Sequence, residues 1–340
     1  MGKNEIIKKC REYDSSNDFL YYLIYKKQHN VYAVIASPCN YLYCNNTDQF
    51  FGTCIYSSEN NISESMRPLF PFKKELFGIP MVKTVLKVDN GNTISLDNRQ
   101  VRELPFIYKI DSSPRFQSPF ISGYTCFECE DVIDIIDPRS ALQRLCSKKE
   151  DLCSFIAELA DCFSIPSSQI GIAGSAALGA DSVSDYDIVF YADTEKLIGI
   201  NNTMLELNKT QTAPYLKGSY LPFRFEFMNS IVDTLFVYED LKLNSIHESR
   251  LVCENVFFRC RATGTAFPLQ APPFIGVDCS EFSYILILDT FFHALIREGD
   301  IIEGTGDIIQ WEHDGKKENI MLCKEPFRQL KDFTRFFNRR

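Results

Sequence analysis

Two short apolar runs, each joined to polar residues, constrain this chain of 340 residues more than any other feature. The first run, residues 170–173, leads directly into Gly174 and Ser175. The second, residues 188–191, directly follows Asp185-Tyr186-Asp187. Short apolar runs bounded by small and turn-forming residues are typical of buried β-strands. The sequence therefore predicts two strands, one that ends in a Gly-Ser turn and one that begins with a pair of aspartates.

The spacing of the two aspartates points to a divalent cation. Asp185 and Asp187 are two residues apart on a predicted strand, so both side chains point to one face. Neighbouring carboxylates repel each other, and Mg²⁺ relieves this repulsion because it binds carboxylate oxygens together with phosphate oxygens. A turn such as Gly174-Ser175 offers backbone N–H groups and a hydroxyl to phosphate.

A third carboxylate would complete two metal sites. Asp233 lies within the otherwise apolar residues 231–237 and is our first candidate. Glu226 alternates into the apolar residues 223–228 in the same way and remains the alternative. Lys217 and Arg224 are candidates for neutralising phosphate charge, although a solvated surface position is the simpler expectation for each.

This set of residues resembles the signature of the DNA-polymerase-β-like nucleotidyltransferase superfamily. That signature has a Gly-Ser turn, a spacer, Asp-x-Asp followed by apolar residues, and a third Asp on a later strand. Here nine residues separate Gly174-Ser175 from Asp185-Tyr186-Asp187. The likeness covers residues 139–240, and the whole layout is similar to prokaryotic proteins that carry a nucleotidyltransferase domain.

The resemblance implies a role for each matching residue. Gly174 and Ser175 would hold a nucleoside triphosphate such as ATP. Asp185, Asp187 and Asp233 would be catalytic and would bind two Mg²⁺ ions, with Mn²⁺ as a possible substitute. A nucleoside monophosphate would pass to an acceptor hydroxyl with release of pyrophosphate. One departure is the absence of the Arg that many small members carry shortly after the Gly-Ser, where this chain has Ala176-Ala177-Leu178-Gly179.

The predicted fold class is α+β, with a mixed sheet and helices in the core. We expect a β-rich N-terminal domain over residues 1–112, a linker over 113–138, the nucleotidyltransferase core over 139–250 and a small β-barrel-like domain over 251–340. Periodicity predicts one amphipathic helix over 140–163 and another over 194–207. Hairpins are predicted around residues 26–30 and around Asp89-Asn90-Gly91-Asn92. In the last domain, strands are predicted over residues 256–262, 284–288, 301–306, 308–312 and 319–323.

Charge and composition narrow the functional classes. Lys and Arg number 36 and Asp and Glu number 45, a formal net charge of −9, which argues against a protein that coats nucleic acid non-specifically but leaves room for a local basic groove. The acceptor stays open between an RNA 3′ end, a protein, a small molecule and a second nucleotide. The excess of acidic residues argues against a long nucleic acid as the acceptor. The predicted small barrel argues in favour of one, because small β-barrels often bind oligonucleotides. The alternative from another class is a non-catalytic nucleotide sensor or scaffold on the same fold.

The thirteen cysteines and the N-terminus indicate a cytoplasmic protein. The first residues lack the pattern of a signal peptide, and the apolar residues 282–296 are interrupted by Asp289 and His293, so no membrane partner is expected. The cysteines are expected to be reduced and mostly buried. Cys126 and Cys129 raise the question of a metal, but a structural zinc site needs a second pair at suitable spacing.

Overall fold

The computed structural model confirms an α+β chain with mixed sheets and few helices. Its description covers residues 21–27, 30–44, 47–61, 73–83, 85–87, 93–95, 125–128, 132–180, 183–216, 219–240, 250–267, 269, 273–287, 296–313 and 316–323, with the single residues 5, 8 and 64. The predicted turn at residues 89–92, Lys217 and Cys129 lie outside this description. The predicted domain boundaries at 112, 138 and 250 stay a prediction.

The chain forms two compact units. The first unit contains residues 1–141, 174–183 and 245–247, and the second contains residues 142–173, 184–244 and 248–340. Each unit is therefore assembled from separate stretches of the sequence.

A seven-stranded sheet dominates the first unit. Its path is β4-β5-β3-β2-β1-β9, with β8 paired to β3. The strands are β1 (Tyr21–Lys27), β2 (Asn30–Cys44), β3 (Thr47–Ser58), β4 (Lys73–Leu76), β5 (Ile79–Lys83), β8 (Thr125–Glu128) and β9 (Val132–Ile136), and a separate pair consists of β6 (Val85–Lys87) and β7 (Thr93–Ser95). A short 3₁₀ helix spans Glu59–Asn61. Antiparallel pairing of β1 with β2 confirms the predicted first hairpin.

The helix predicted over residues 140–163 is two helices, so that prediction was wrong in its continuity. Helix α1 spans Pro138–Cys146 and helix α2 spans Glu150–Cys162. The break follows from local hydrogen bonding, because the Ser147 hydroxyl donates to the Arg144 carbonyl at 2.8 Å and the chain turns through Lys148. The residues at the break are polar, so they contribute no apolar side chains that would extend the buried face of one continuous helix.

The second unit contains a four-stranded mixed sheet in the order β10-β11-β15-β14. Strands β11 and β15 are parallel, and the two outer pairings are antiparallel. The elements between the helix pair and the barrel are a 3₁₀ helix (Ser167–Gln169), β10 (Ile170–Ile172), α3 (Gly174–Ala177), β11 (Tyr186–Ala192), α4 (Thr194–Asn208), β12 (Tyr215–Leu216), β13 (Ser219–Tyr220), β14 (Arg224–Phe227) and β15 (Ser230–Tyr238). Of these, α3 belongs to the first unit.

Helices α2 and α4 pack against one face of this sheet. Phe155 of α2 contacts Tyr186, with ring centroids 5.1 Å apart, and Phe163 after α2 contacts Phe190 at 5.3 Å. From α4, the Met204 sulfur lies 3.6 Å from the Thr234 hydroxyl. Side chains alternate along a strand, so Asp187 of β11 and Asp233 of β15 lie on the opposite face.

Five strands near the end of the chain form a closed barrel in the order β16-β17-β18-β20-β19. They are β16 (Arg250–Phe267), β17 (Phe274–Asp278), β18 (Tyr284–Ile287), β19 (Ile301–His313) and β20 (Lys316–Cys323). Strands β18 and β20 are parallel, whereas the other pairings are antiparallel. The two strands predicted over 301–306 and 308–312 are one strand, because Asp307 pairs with Leu322 of β20, although the pairing of β19 with β16 shifts register at this point.

Candidate functional site

Register between the strands brings two of the predicted acidic residues side by side. Asp187 of β11 is the direct partner of Asp233 of β15. The Ala173 amide donates to the Asp187 carbonyl at 2.7 Å, which extends the β10–β11 pairing to this level of the sheet. Partner residues on neighbouring strands share a face, so both carboxylates project from the face opposite the helices.

Asp185 lies just before β11, and it is partly exposed. Its Oδ1 accepts a hydrogen bond from the Ser184 hydroxyl at 2.7 Å. Sequence analysis placed Asp185 within the strand, but the strand begins at Tyr186. The carboxylate is therefore held by a local hydrogen bond in the connection that leads into the strand.

Arg224 joins these carboxylates. Its Nε donates to Asp233 Oδ1 at 2.6 Å and its Nη2 donates to Asp233 Oδ2 at 2.5 Å, a bidentate pair. The same Nη2 lies 3.5 Å from Asp185 Oδ2. Hydrogen bonding to Asp233 raises the pKa of Arg224, with the charges of Asp185 and Asp187 acting in the same direction. The single charge of this guanidinium therefore offsets part of the negative charge of the three carboxylates.

The surface position expected for Arg224 was wrong. Only 12% of its side chain is exposed, and 17% of the Asp233 side chain. The reason is register, because Arg224 is the direct partner of Asp233 on the antiparallel strand β14. The apolar alternation around Arg224 was a signal for this arrangement, since it places Arg224 on the face opposite Phe225, a buried ring.

Glu226 occupies a different position from Asp233. It is exposed, and its direct partner on β15 is Ile231. The main chain of Glu226 makes two hydrogen bonds with the side chain of Gln211. The Glu226 N–H donates to Gln211 Oε1 at 2.8 Å, and the Glu226 carbonyl accepts from Gln211 Nε2 at 2.9 Å. The geometry thus favours Asp233 over Glu226 as the carboxylate that accompanies Asp187.

Gly174 and Ser175 begin the short helix α3 in the first unit. Gly174 has a φ of +60°, a conformation that costs glycine little and other residues more. Ser175 is buried, and its hydroxyl accepts a hydrogen bond from Lys74 Nζ at 2.7 Å. Lys74 and Ser175 are 101 positions apart, so no local sequence pattern predicted their contact.

The acidic residues have side-chain donors that suit a divalent cation. Their donors are carboxylate oxygens, which Mg²⁺ and Mn²⁺ accept, and the face already accommodates the positive charge of Arg224. In the part of the chain that the structure describes, no group of three His, Cys, Asp or Glu residues has an arrangement that would hold a metal ion. Arg224 engages both carboxylate oxygens of Asp233, so Asp233 would bind a cation only if this pair opened.

No family model matches the chain. The comparisons with curated proteins and with solved structures also find no match. The likeness to the nucleotidyltransferase superfamily thus depends on the motif residues alone.

The described cysteines differ from the expectation that most are buried. Cys260 and Cys323 are buried in the barrel, whereas Cys153, Cys162 and Cys253 are exposed and Cys146 and Cys279 are intermediate. The exposed cysteines of α2 lie on its outer face, because the periodicity of that helix gives the inner face to larger apolar side chains.

Among the described helices, none is long and apolar enough to span a membrane.

Proposed function

We propose that this chain is a Mg²⁺-dependent nucleotidyltransferase that moves a nucleoside monophosphate from a nucleoside triphosphate to an acceptor hydroxyl. The observation that supports this most directly is the pairing of Asp187 with Asp233 on neighbouring parallel strands. Arg224 contacts Asp233 and Asp185, and with Asp187 this gives the three aspartates that the motif leads us to expect. The acceptor is an RNA 3′ end, a protein, a small molecule or a second nucleotide.

The residues divide the work of the proposed reaction. Asp185, Asp187 and Asp233 would hold the metal ions, and Gly174 and Ser175 would hold the triphosphate. When bound, two divalent ions stabilise the charge on the entering and leaving oxygens of an in-line displacement. The acceptor oxygen would form a bond to the α-phosphorus, the bond to the bridging oxygen would break, and pyrophosphate would leave. Asp233 would help to remove the proton of the acceptor hydroxyl.

A second candidate function is a non-catalytic nucleotide sensor on the same fold. The observation that favours it is the bidentate pair between Arg224 and Asp233, which engages both oxygens of the third carboxylate. In a sensor this pair would persist when nucleotide binds. In the transferase it would open so that Asp233 becomes a metal ligand.

The deciding experiment combines labelled substrate with matched variants. Purified protein is incubated with each α-³²P-labelled nucleoside triphosphate and Mg²⁺, with total RNA, with a small-molecule extract, or alone. We expect label in one fraction, lost in Asp187→Asn and retained in Glu226→Gln, whose side chain lies on the same sheet face. The fraction that carries the label identifies the acceptor class. Nucleotide binding without any label in the wild type would favour the sensor and overturn the transferase.

A further inference from the structure

Lys74 occupies an unusual place for a lysine. It lies on β4, and a two-residue turn connects this strand to β5 in register, with Lys74 opposite Met81. Both turn residues, Phe77 and Gly78, have positive φ, the geometry that matches the twist of paired strands. Leu76, two residues after Lys74, and Met81 are both fully buried. Lys74 therefore projects from the buried face of the hairpin, where unpaired charge is costly.

The contact that Lys74 makes leaves its charge unbalanced. Its Nζ donates to the Ser175 hydroxyl at 2.7 Å, and Ser175 is 7% exposed. A hydroxyl is neutral, so it satisfies one of the three ammonium donors and none of the positive charge. Among the described residues no carboxylate forms an ion pair with Lys74. This partly buried ammonium therefore has the capacity to bind an anion.

The neighbouring Lys73 behaves in the opposite way. Its Nζ pairs with Glu59 Oε1 at 2.5 Å, and 54% of its side chain is exposed. Strand alternation explains the difference, since Lys73 and Lys74 point to opposite faces of the hairpin. The protein thus offers a matched control, one position away, for any test of Lys74.

We propose that Lys74 is a phosphate-binding residue that the β-rich N-terminal part of the chain contributes to the Gly-Ser turn. The ligand is the polyphosphate of a nucleoside triphosphate, which the ammonium and the Ser175 hydroxyl bind together. Lysine serves as a point charge for phosphate in such sites, and a partly buried ammonium interacts more strongly than one in water. The inference rests on the proposed function, because that function supplies the triphosphate. It also gives the N-terminal part a role in substrate binding.

The test is equilibrium binding of fluorescent ATP and AMP, without turnover, in the presence of Ca²⁺. The main variant is Lys74→Met, because a methionine fits the apolar surroundings of Leu76 and Met81. Lys74→Arg keeps the charge, and Lys73→Met is the control. We expect Lys74→Met to weaken ATP binding by about 10- to 100-fold, the usual range for one charged hydrogen bond, with AMP binding unchanged. Lys74→Arg should keep most of the affinity and Lys73→Met all of it.

The outcomes separate this inference from the proposed function. Equal ATP affinity in Lys74→Met and wild type would overturn the inference, whatever the labelling experiment gives. Weakened ATP binding in Lys74→Met without any label transfer by the wild type would support Lys74 and overturn the transferase. If the wild type binds neither ATP nor inorganic tripolyphosphate, both the inference about Lys74 and the proposed function would be overturned. Circular dichroism and thermal unfolding of each variant check the fold, and Lys74→Gln replaces Lys74→Met as the neutral variant if Lys74→Met does not fold.

Discussion

Asp187 and Asp233 face each other across two parallel strands, and Arg224 completes the row from the third strand. This order places the Arg224 guanidinium directly beside Asp233, where its positive charge offsets the repulsion between Asp233 and Asp187. The guanidinium therefore stabilises the acidic face in the absence of metal. A divalent cation that binds the same oxygens competes with it, and the following two predictions depend on that competition.

Asp233→Asn should reduce Mn²⁺ affinity at least about tenfold, since one charged ligand contact contributes on the order of 1.5–3 kcal/mol. Glu226→Gln should leave the affinity unchanged, because Glu226 is exposed and opposite Ile231. Electron paramagnetic resonance of Mn²⁺ titrated into each variant measures both affinities. Loss of binding in Glu226→Gln with full binding in Asp233→Asn would reverse our assignment of the third carboxylate.

Arg224→Gln should lower the free energy of unfolding by about 1–3 kcal/mol in EDTA, because Asp233 loses its bidentate partner in a poorly exposed place. Saturating Mg²⁺ should then raise the unfolding temperature of Arg224→Gln more than that of the wild type. Thermal unfolding in EDTA and in MgCl₂ measures both effects. The control is Arg259→Gln, whose pairing with Glu303 at 3.7 Å is exposed and contributes little. An equal Mg²⁺ shift in wild type and Arg224→Gln would contradict competition between the guanidinium and the metal.

Gly306→Ala should destabilise the barrel, whereas Gly199→Ala should stabilise helix α4. A methyl group at Gly306 would collide with the Leu322 carbonyl oxygen and the Met321 sulfur, and backbone cannot move aside cheaply. At Gly199, within an exposed part of the helix, an added methyl meets nothing within 4 Å. Alanine there gains about 0.5–1 kcal/mol over glycine. Urea unfolding measures the change in the free energy of unfolding for each variant. A change of the same sign in both variants would contradict this prediction.

Alkaline pH should weaken the barrel through its buried thiols. Burial raises the pKa of Cys260 and of Cys323 to about 12. Below the ordinary thiol pKa near 9 both states keep the proton. Above it the unfolded chain releases the proton and the folded chain keeps it, so stability falls as pH rises from about 9 towards 12.

Urea unfolding under reducing conditions from pH 8 to pH 10.5 measures this loss. Each thiol should contribute about 1.4 kcal/mol for each pH unit within the window. Cys323→Ala should therefore have a shallower pH dependence than the wild type, whatever its stability at pH 8. Parallel slopes for the wild type and Cys323→Ala would contradict the prediction.

Sequence patterns predicted the strands around the candidate site well, because apolar alternation and turn residues act over a few positions. The strands that carry Asp187 and Asp233 and the helix after Asp193 agree closely with the prediction. The Asp193 carboxylate accepts from the Lys196 amide at 2.8 Å and caps that helix, a local signal. The single helix predicted over 140–163 failed because apolar periodicity hides a short polar interruption.

Long-range relations were beyond the same patterns. The position of Lys74 depends on a contact across 101 residues, whereas Arg224 and Asp233 are only nine positions apart in the hairpin of β14 and β15. The contact of Lys74 has no local signature, since its partner Ser175 comes from a distant part of the chain. A charged residue in an otherwise apolar strand indicates that such a contact exists, because burial of an unpaired charge is costly.

The first unit combines residues 174–183 with residues 1–141, and this has a consequence for the order of folding. The stretch that begins with Gly174 reaches its place only after residues 142–173, which belong to the second unit, have formed a loop of 32 residues, and this closure is entropically costly. Contacts between distant residues slow folding. During synthesis the N-terminal sheet therefore has time to form before the Gly-Ser segment emerges. A fragment that starts at residue 142 would keep all three aspartates and lose the surroundings of Ser175.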